Sequence, residues 1–467
     1  MSELAARCST ARRILALIAA FVLAAPAARA DLYAAKAAYQ KQDYAKAFEL
    51  FHEMAELGLT LAQSTVAAMY VQGEGVTRDN RMGYAWARVA QANGDHVGTD
   101  AIVEQLEPHV DEAMRQLMRD LMTKYGPDAL QRTLLPDPAA PVPKNADRDC
   151  AMKSRAKVYY PSAVIGSGAN GFVLAEVAVM PDGRAHDPQI WFTQPDHSFD
   201  EVARRYLRHS VFTFNSTDRT RSCRMLTAAQ FYIPPGQQAA MRRELDRMRQ
   251  QANDGDPRAQ MMYGYMLFAR PDLNVDKETP VNWYVKAAQA GLPAAQFLTG
   301  LELERSNAPS ERAKGQFWMN KAAERGSPDA KLDLAHQILS EPSDAAGIRH
   351  AQELLESAMS DYGQSYGSDA EFYLAALLAA GPEGATLDPT RALSMIDHIQ
   401  AEMPGSPTVE EIRAAGSAAL GKFDDARKAQ RKALGMAKML DWDTAPQQAR
   451  LDAYTHNQAW RGNFFAP

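Results

Sequence analysis

From Leu61 to Gly94 small and large apolar residues recur at helical spacing, interrupted once by glycine. Ala62-Gln63 opens the first run, where Ala67 and Ala68 alternate with Met69 and Tyr70, and Gly73 and Gly75 end it. Asp79 opens a second run carrying Tyr84, Trp86 and Ala90, which closes at Gly94. Glycine suits the left-handed end of a helix, so the pattern predicts a helix–turn–helix unit. The unit returns further along the chain. Ala259-Gln260 leads to Trp283, Lys286-Ala287-Ala288 and Gly291, and Ala295-Gln296 leads to Trp318, Lys321-Ala322-Ala323 and Gly326. Opening Ala and Trp are 24, 24 and 23 residues apart in the three units. Two weaker copies follow, from Ala330 to Leu354-Leu355 and from Ala370 to Leu393.

One helix pair cannot bury its apolar face alone, so a repeat of this length implies stacked pairs sharing a continuous core. Trp86, Trp283 and Trp318 then read as core wedges; the sharper alternative makes them aromatic ligand anchors. The joint pattern resembles the Sel-one-like family, relatives of the tetratricopeptide repeat. Its marks are Ala-Gln, Gly73-Glu74-Gly75-Val76, Asp79, the Trp and the Lys-Ala-Ala-x-x-Gly ending. The later units lack the Gly-x-Gly-Val turn, and the last copies lack the Trp. The resemblance implies a mainly α fold, an α-solenoid in two blocks whose concave face holds other proteins.

Between the blocks the period changes from helical to alternating. Pro136, Pro138, Pro141 and Pro143 mark a stiff linker. Phe172 to Met180 places Val173, Ala175, Val177 and Val179 on one face, and Pro181-Asp182-Gly183 reads as a turn. A second strand over Arg184 to Gln194, a helix from Asp196–Ser198, and strands near Val211–Phe214 and Arg224–Ile233 complete a β-β-α-β module. The module resembles the C-terminal domain of TonB, through Tyr160-Pro161, Ala163, Gly168, Gly171-Phe172-Val173, Val177-Ala178-Val179, Asp182-Gly183, Phe199-Asp200 and Phe212. That resemblance implies an open strand edge that captures extended peptide. The edge falls on Arg224, Met225, Leu226, Thr227, Ala228, Ala229, Gln230 and Phe231. The competing reading has this edge covered by the chain's own repeats. The domain is internal and its linker spans at most roughly 50 Å, which separates it from an energy transducer that must cross a periplasm.

The expected layout is a signal peptide over 1–30, repeats over 31–135, a Pro-rich linker over 136–149, the TonB-like domain over 150–235, repeats over 236–440 and a tail or cap over 441–467. The signal reading rests on Arg7, Arg12 and Arg13, the apolar run Ile14–Ala25, and the small residues Ala28 and Ala30, with cleavage before Asp31. A run of about twelve apolar residues is short for a span of about 20, although an uncleaved anchor stays the alternative. The expected compartment is the periplasm. Loss of four Arg and one Glu with the signal shifts the net charge from −6 to −9, which opposes nucleic-acid binding. Within Cys150–Ile233 ten Lys/Arg outweigh seven Asp/Glu, with Arg204, Arg205 and Arg208 together on the helix, as a docking patch or a solvated face. Cys150 and Cys223 bracket this domain in an exported chain, as a disulfide or as two buried thiols.

Other motifs fail on context. Gly166–Gly171 spells GxGxxG, but a strand follows it where a dinucleotide site needs a helix. Ser154–Lys157 spells S-x-x-K without companion motifs. The ten His residues are scattered; His186, His197 and His209, together in the central domain, are the only metal candidates. No carboxylate pair stands out as an acid–base set. The expectation is a non-enzymatic periplasmic scaffold with protein or peptide partners, no cofactor and no membrane span after signal removal. The alternatives are a TonB-type transducer or accessory, and an enzyme whose site leaves no motif.

Overall fold

The computed structural model describes residues 31–138, 150–157, 159–160, 171–179, 183–194, 197–214, 223–231, 237–269, 274–362, 368–402, 406–439 and 443–465. The chain is mainly helical repeats, and these divide into two compact units. One unit joins the N-terminal helices to Val285–Gln296, and the other holds the strands and the remaining helices. The signal segment 1–30 and most of the Pro-rich linker lie outside the described residues.

In the N-terminal unit the helices are α1 (Leu32–Gln40), α2 (Tyr44–Glu56), α3 (Thr60–Gln72), α4 (Asn80–Ala92), α5 (Asp100–Leu106), α6 (Glu112–Tyr125) and α7 (Pro127–Thr133). Each end has a chemical cause. Asp31, Asp43, Asp79 and Asp111 cap α1, α2, α4 and α6 by accepting from backbone N–H groups that the first turn leaves unpaired. Gly73 ends α3 at φ 76°, its N–H on the Met69 carbonyl. Gly75, at φ 70°, lies so close to α2 that a Cβ would sit 2.0 Å from the Tyr44 oxygen. The Gly-Glu-Gly turn thus meets two demands, a left-handed backbone and a tight approach. Trp86, Val66, Ala67 and Met54 form the dry centre of this unit. Ala290 joins the same core, and its carbonyl accepts from the Leu32 N–H at 3.0 Å.

The second unit contains β1 (Cys150–Ser154), β2 (Gly171–Val179), β3 (Ala185–Gln194), α8 (Asp200–His209), β4 (Val211–Phe214) and β5 (Cys223–Phe231). The described strands form two sheets, a three-stranded one in the order β3-β2-β5 and the pair β1-β4, all antiparallel. Val173, Ala175, Val177 and Val179 are fully buried, as the alternation requires, and Phe199, Ala203 and Leu207 of the helical segment cover them. Gly171 is small because the Phe199 ring lies 2.2 Å from where its Cβ would be. β1 is an addition to the expected β-β-α-β order. It pairs Cys150 with Phe214 and Met152 with Phe212.

Helices follow as α9 (Gln237–Asn253), α10 (Pro257–Ala269), α11 (Pro280–Gln289), α12 (Pro293–Glu304), α13 (Pro309–Glu324), α14 (Pro328–Ser340), α15 (Ala345–Tyr362), α16 (Ser368–Ala380), α17 (Pro389–Glu402), α18 (Pro407–Ala419), α19 (Phe423–Met439) and α20 (Ala445–Thr455). Many begin with Pro, which fits a first turn because its missing N–H would be unpaired there anyway. From α13 onward each helix packs on the next, and α16 also packs on α14 and α18. The two weak sequence copies therefore form true helix pairs, with Ala330, Leu355 and Ala370 buried. Their core is Ala- and Leu-rich, and small side chains allow the helices to approach closely.

Candidate interaction sites

The Ala-Gln pair that opens each repeat works as a lock. Gln63 Nε2 donates to the Ala55 carbonyl at 3.0 Å, Gln260 to Ala252 at 3.1 Å and Gln296 to Ala288 at 3.1 Å. In each case the acceptor lies eight residues earlier, in the preceding helix. The amide satisfies a helix-end carbonyl that burial would otherwise leave orphaned. Gln63 also accepts from Asn93 Nδ2 at 2.9 Å. Gln296 Oε1 has no partner among the described residues.

The three tryptophans occupy equivalent interior positions. Trp86 and Trp318 have no solvent exposure, and Trp283 is buried. Trp86 stacks on Tyr125 with ring centres 5.2 Å apart. Trp283 packs edge-on to Tyr263 and donates from Nε1 to Glu278 Oε2 at 2.6 Å. Glu278 also pairs with Arg249 at 2.7 Å, so one carboxylate joins the segment before α11 to α9 and α10. Burial beside this carboxylate pushes the Tyr263 hydroxyl up to about 12.

In the central domain Cys150 and Cys223 form a disulfide. It ties β1 to the start of β5, across a separation of 73 residues. The candidate edge Arg224–Phe231 is β5, the terminal strand in the order β3-β2-β5. Its register on β2 is continuous from Cys223 opposite Val179 to Phe231 opposite Gly171. Met225, Ala229 and Phe231 point into the core and Thr227 is half-buried. The side chains of Arg224, Leu226, Ala228 and Gln230 lie outside the described set. Arg205 and Arg208 are exposed on α8, and the Arg205 guanidinium lies 5.1 Å from the centre of the exposed Tyr159 ring. Ala30 and the GxGxxG loop fall outside the described residues, except Gly171, which starts β2. Asp31 is the α1 cap. Among the described residues no three His, Cys, Asp or Glu side chains assemble as a metal set.

Two features left little trace in the sequence pattern. Glu410 and Glu411 are both buried on α18. Glu411 accepts from Arg450 at 2.7 Å and from the Gln430 and Gln447 amides, while Glu410 accepts from Lys432 at 2.6 Å and Gln400 at 2.8 Å. These adjacent buried carboxylates are each paired, as burial demands. The second feature is the segment after α20, where Trp460 is half-buried and Phe464 and Phe465 are buried. Acidic side chains on an Ala-rich helix gave no sign of burial, and the three aromatics Trp460, Phe464 and Phe465 are too few to show a period.

The Sel1 repeat model matches residues 35–59, 60–95, 257–292 and 293–327. These four segments match the Sel1 repeat. A solved protective antigen present in uropathogenic Escherichia coli strains, with an SLR fold, is 16% identical. That match covers 89% of this chain and 80% of that one at a TM-score of 0.31. A Sel1 repeat protein from Oxalobacter formigenes is 20% identical, covering 44% of this chain and 87% of its own, also at 0.31. No curated protein matches the sequence. The matched repeats span the Gln locks and all three tryptophans. The helix pairs from α14 onward continue the architecture beyond the last match.

Proposed function

We propose that this protein is an exported, periplasmic scaffold that holds partner proteins on its Sel1 repeats, with a TonB-like central domain that captures extended peptide by strand addition. The observation carrying the scaffold reading is the repeat itself: four Sel1 matches, in three of which the recurring Gln amide and Trp ring are spent on internal packing. What such a stack offers to solution is its surface, and Sel1 repeats generally serve as protein-interaction scaffolds. Export is supported by the N-terminal charge-then-apolar pattern and by a disulfide, which suits an oxidising space. Among the described residues no helix is long and apolar enough to cross a membrane.

Peptide capture is supported by the position of β5 at the end of the described sheet order and by the lack of Pro along it. The test is crosslinking in intact cells followed by affinity recovery of the tagged mature chain from the periplasmic fraction. The expected result is a reproducible set of protein partners whose crosslinks map to the repeats. Absence of the chain from that fraction sinks the export reading, and crosslinks confined to bulk abundant proteins sink the scaffold reading. A TonB-type transducer would instead be recovered with residues 1–30 retained and with inner-membrane partners.

A further inference from the structure

The last described segment of the chain behaves as a bound peptide. From Thr455, the last residue of α20, to Ala459 the chain is exposed, and Asn457 sits at φ 53°, in the left-handed region. The next six residues, Trp460 to Phe465, have no helix or strand, yet they end buried. Their fixings come from elsewhere in the sequence. The Gly462 N–H donates to the Ala380 carbonyl at 2.8 Å, Asn463 Nδ2 to the Leu339 carbonyl at 2.6 Å, and Arg461 Nε to the Gly381 carbonyl at 3.2 Å. These acceptors lie at the C-terminal ends of α14 and α16, where carbonyls have no intrahelical partner and the helix dipole favours a cation. Phe465 packs on Tyr373 with ring centres 4.6 Å apart and on Phe372 at 5.7 Å. Phe464 packs on Trp460 at 4.7 Å, and Arg450, held on buried Glu411, lies over both rings.

The seat therefore presents carbonyl acceptors in a row, then an aromatic floor, then a fixed guanidinium. We propose that this seat is a docking groove for an extended partner segment with a basic residue followed within a few positions by paired aromatics, and that Trp460–Phe465 is its built-in competitor. The inference rests on the scaffold reading above and names one place where a partner would bind. The segment's hydrogen bonds go to the ends of α14 and α16. Its ties to α20 are side-chain packing, the Arg450 guanidinium over its rings and Trp460 beside the cluster that holds Tyr454, so the exposed turn at residues 455–459 gives it room to leave with α20 folded. A tethered segment holds an effective concentration on the order of millimolar, so a free peptide must outbid it or wait for release.

The experiment uses the full mature chain with a specific protease site replacing residues 456–459. The folded protein is cut there and mixed with a fluorescent peptide of residues 458–465. Saturable anisotropy on the cut chain, at least about tenfold tighter than on the uncut chain, is the expected result. The same peptide carrying Phe464→Ala and Phe465→Ala should lose at least about tenfold in affinity. Equal binding to cut and uncut chains, equal binding of the two peptides, or loss of helical circular dichroism once the cut segment leaves would each overturn the proposal. The last outcome would make the segment an integral cap. An uncut chain carrying Phe464→Leu and Phe465→Leu gives an independent reading that does not depend on the inserted site. It should bind the unaltered peptide at least about fivefold tighter than the parent chain, and no gain counts against the groove. Because the probe is the chain's own peptide, failure here leaves the partner recovery test untouched.

Discussion

Glu304 ends α12 with one carboxyl oxygen buried and unpartnered among the described residues, while the other accepts from Gln337 at 3.2 Å. The same Gln337 amide also donates to Asp333. Burial, with the Asp333 charge adding to it, pushes the Glu304 carboxyl up to about 7 from an ordinary 4.5. The sign follows from proton counting. Between about 4.5 and 7 the folded chain keeps a proton that the unfolded chain has given up, so stability falls as pH rises through that window. Below it both states are protonated and nothing is lost. Glu304→Gln should therefore raise the urea midpoint at pH 8 and leave it nearly unchanged at pH 4; an equal gain at both would show that ionisation is not the cause. A second residue-scale expectation concerns Trp318, fully buried on α13. Trp318→Ala removes a ring that close-packed neighbours cannot replace, at a cost of about 3–5 kcal/mol. In a nearest-neighbour stack the loss spreads to adjoining helix pairs, which calorimetry would show as a lowered and broadened transition. An unchanged transition with lost partner binding would make the ring a ligand anchor.

At the scale of elements, β5 offers the sharpest test. Its ladder with β2 occupies one edge, so the other set of backbone groups is what strand addition would use. Ala228→Pro deletes one N–H and bends the strand, and should weaken capture of an extended peptide while the helical circular dichroism stays within error. Retained peptide binding would move the contact away from this edge. The β2 alternation and the helix α8 were legible because nine residues of strict period and a strongly two-faced helix leave a clear pattern. β1 was not, since five residues with one fully buried position carry little periodic signal. Its place is set by distant partners, Phe212 and Phe214 in β4 and the disulfide to Cys223. The Gln locks were half legible: Ala-Gln was visible as a recurring pair, but its bond to a carbonyl eight residues back is a property of the helix turn, not of composition. The segment 460–465 was expected as tail or cap; its fixings at Leu339 and Ala380 lie across sequence distances that local patterns do not encode.

At the scale of the whole molecule, the start of the first helix bears on the proposed signal cleavage. Asp31 is mostly buried, with backbone at φ −123° and ψ 170°, and its carboxylate accepts from the Ala34 N–H at 2.9 Å. One residue on, the Leu32 N–H is committed to the Ala290 carbonyl. The first helix of the repeats thus starts directly at the expected cleavage point, with no slack between them. Cleavage after Ala30 leaves the cap intact, whereas a cut even one residue later deletes it, and losing an Asp cap costs about 1 kcal/mol. The proposed cleavage and the helix start would then coincide at one bond: the small residues at Ala28 and Ala30 would suit a signal peptidase, and Asp31 suits the helix. Intact-mass measurement of protein recovered from the periplasm should give a chain beginning at Asp31. Asp31→Ala should be exported and cut at the same bond but melt lower, because the substitution touches the cap and not the recognition residues. A recovered mass that includes residues 1–30 would mean a retained anchor, and the free-scaffold reading would give way to the membrane-tethered one.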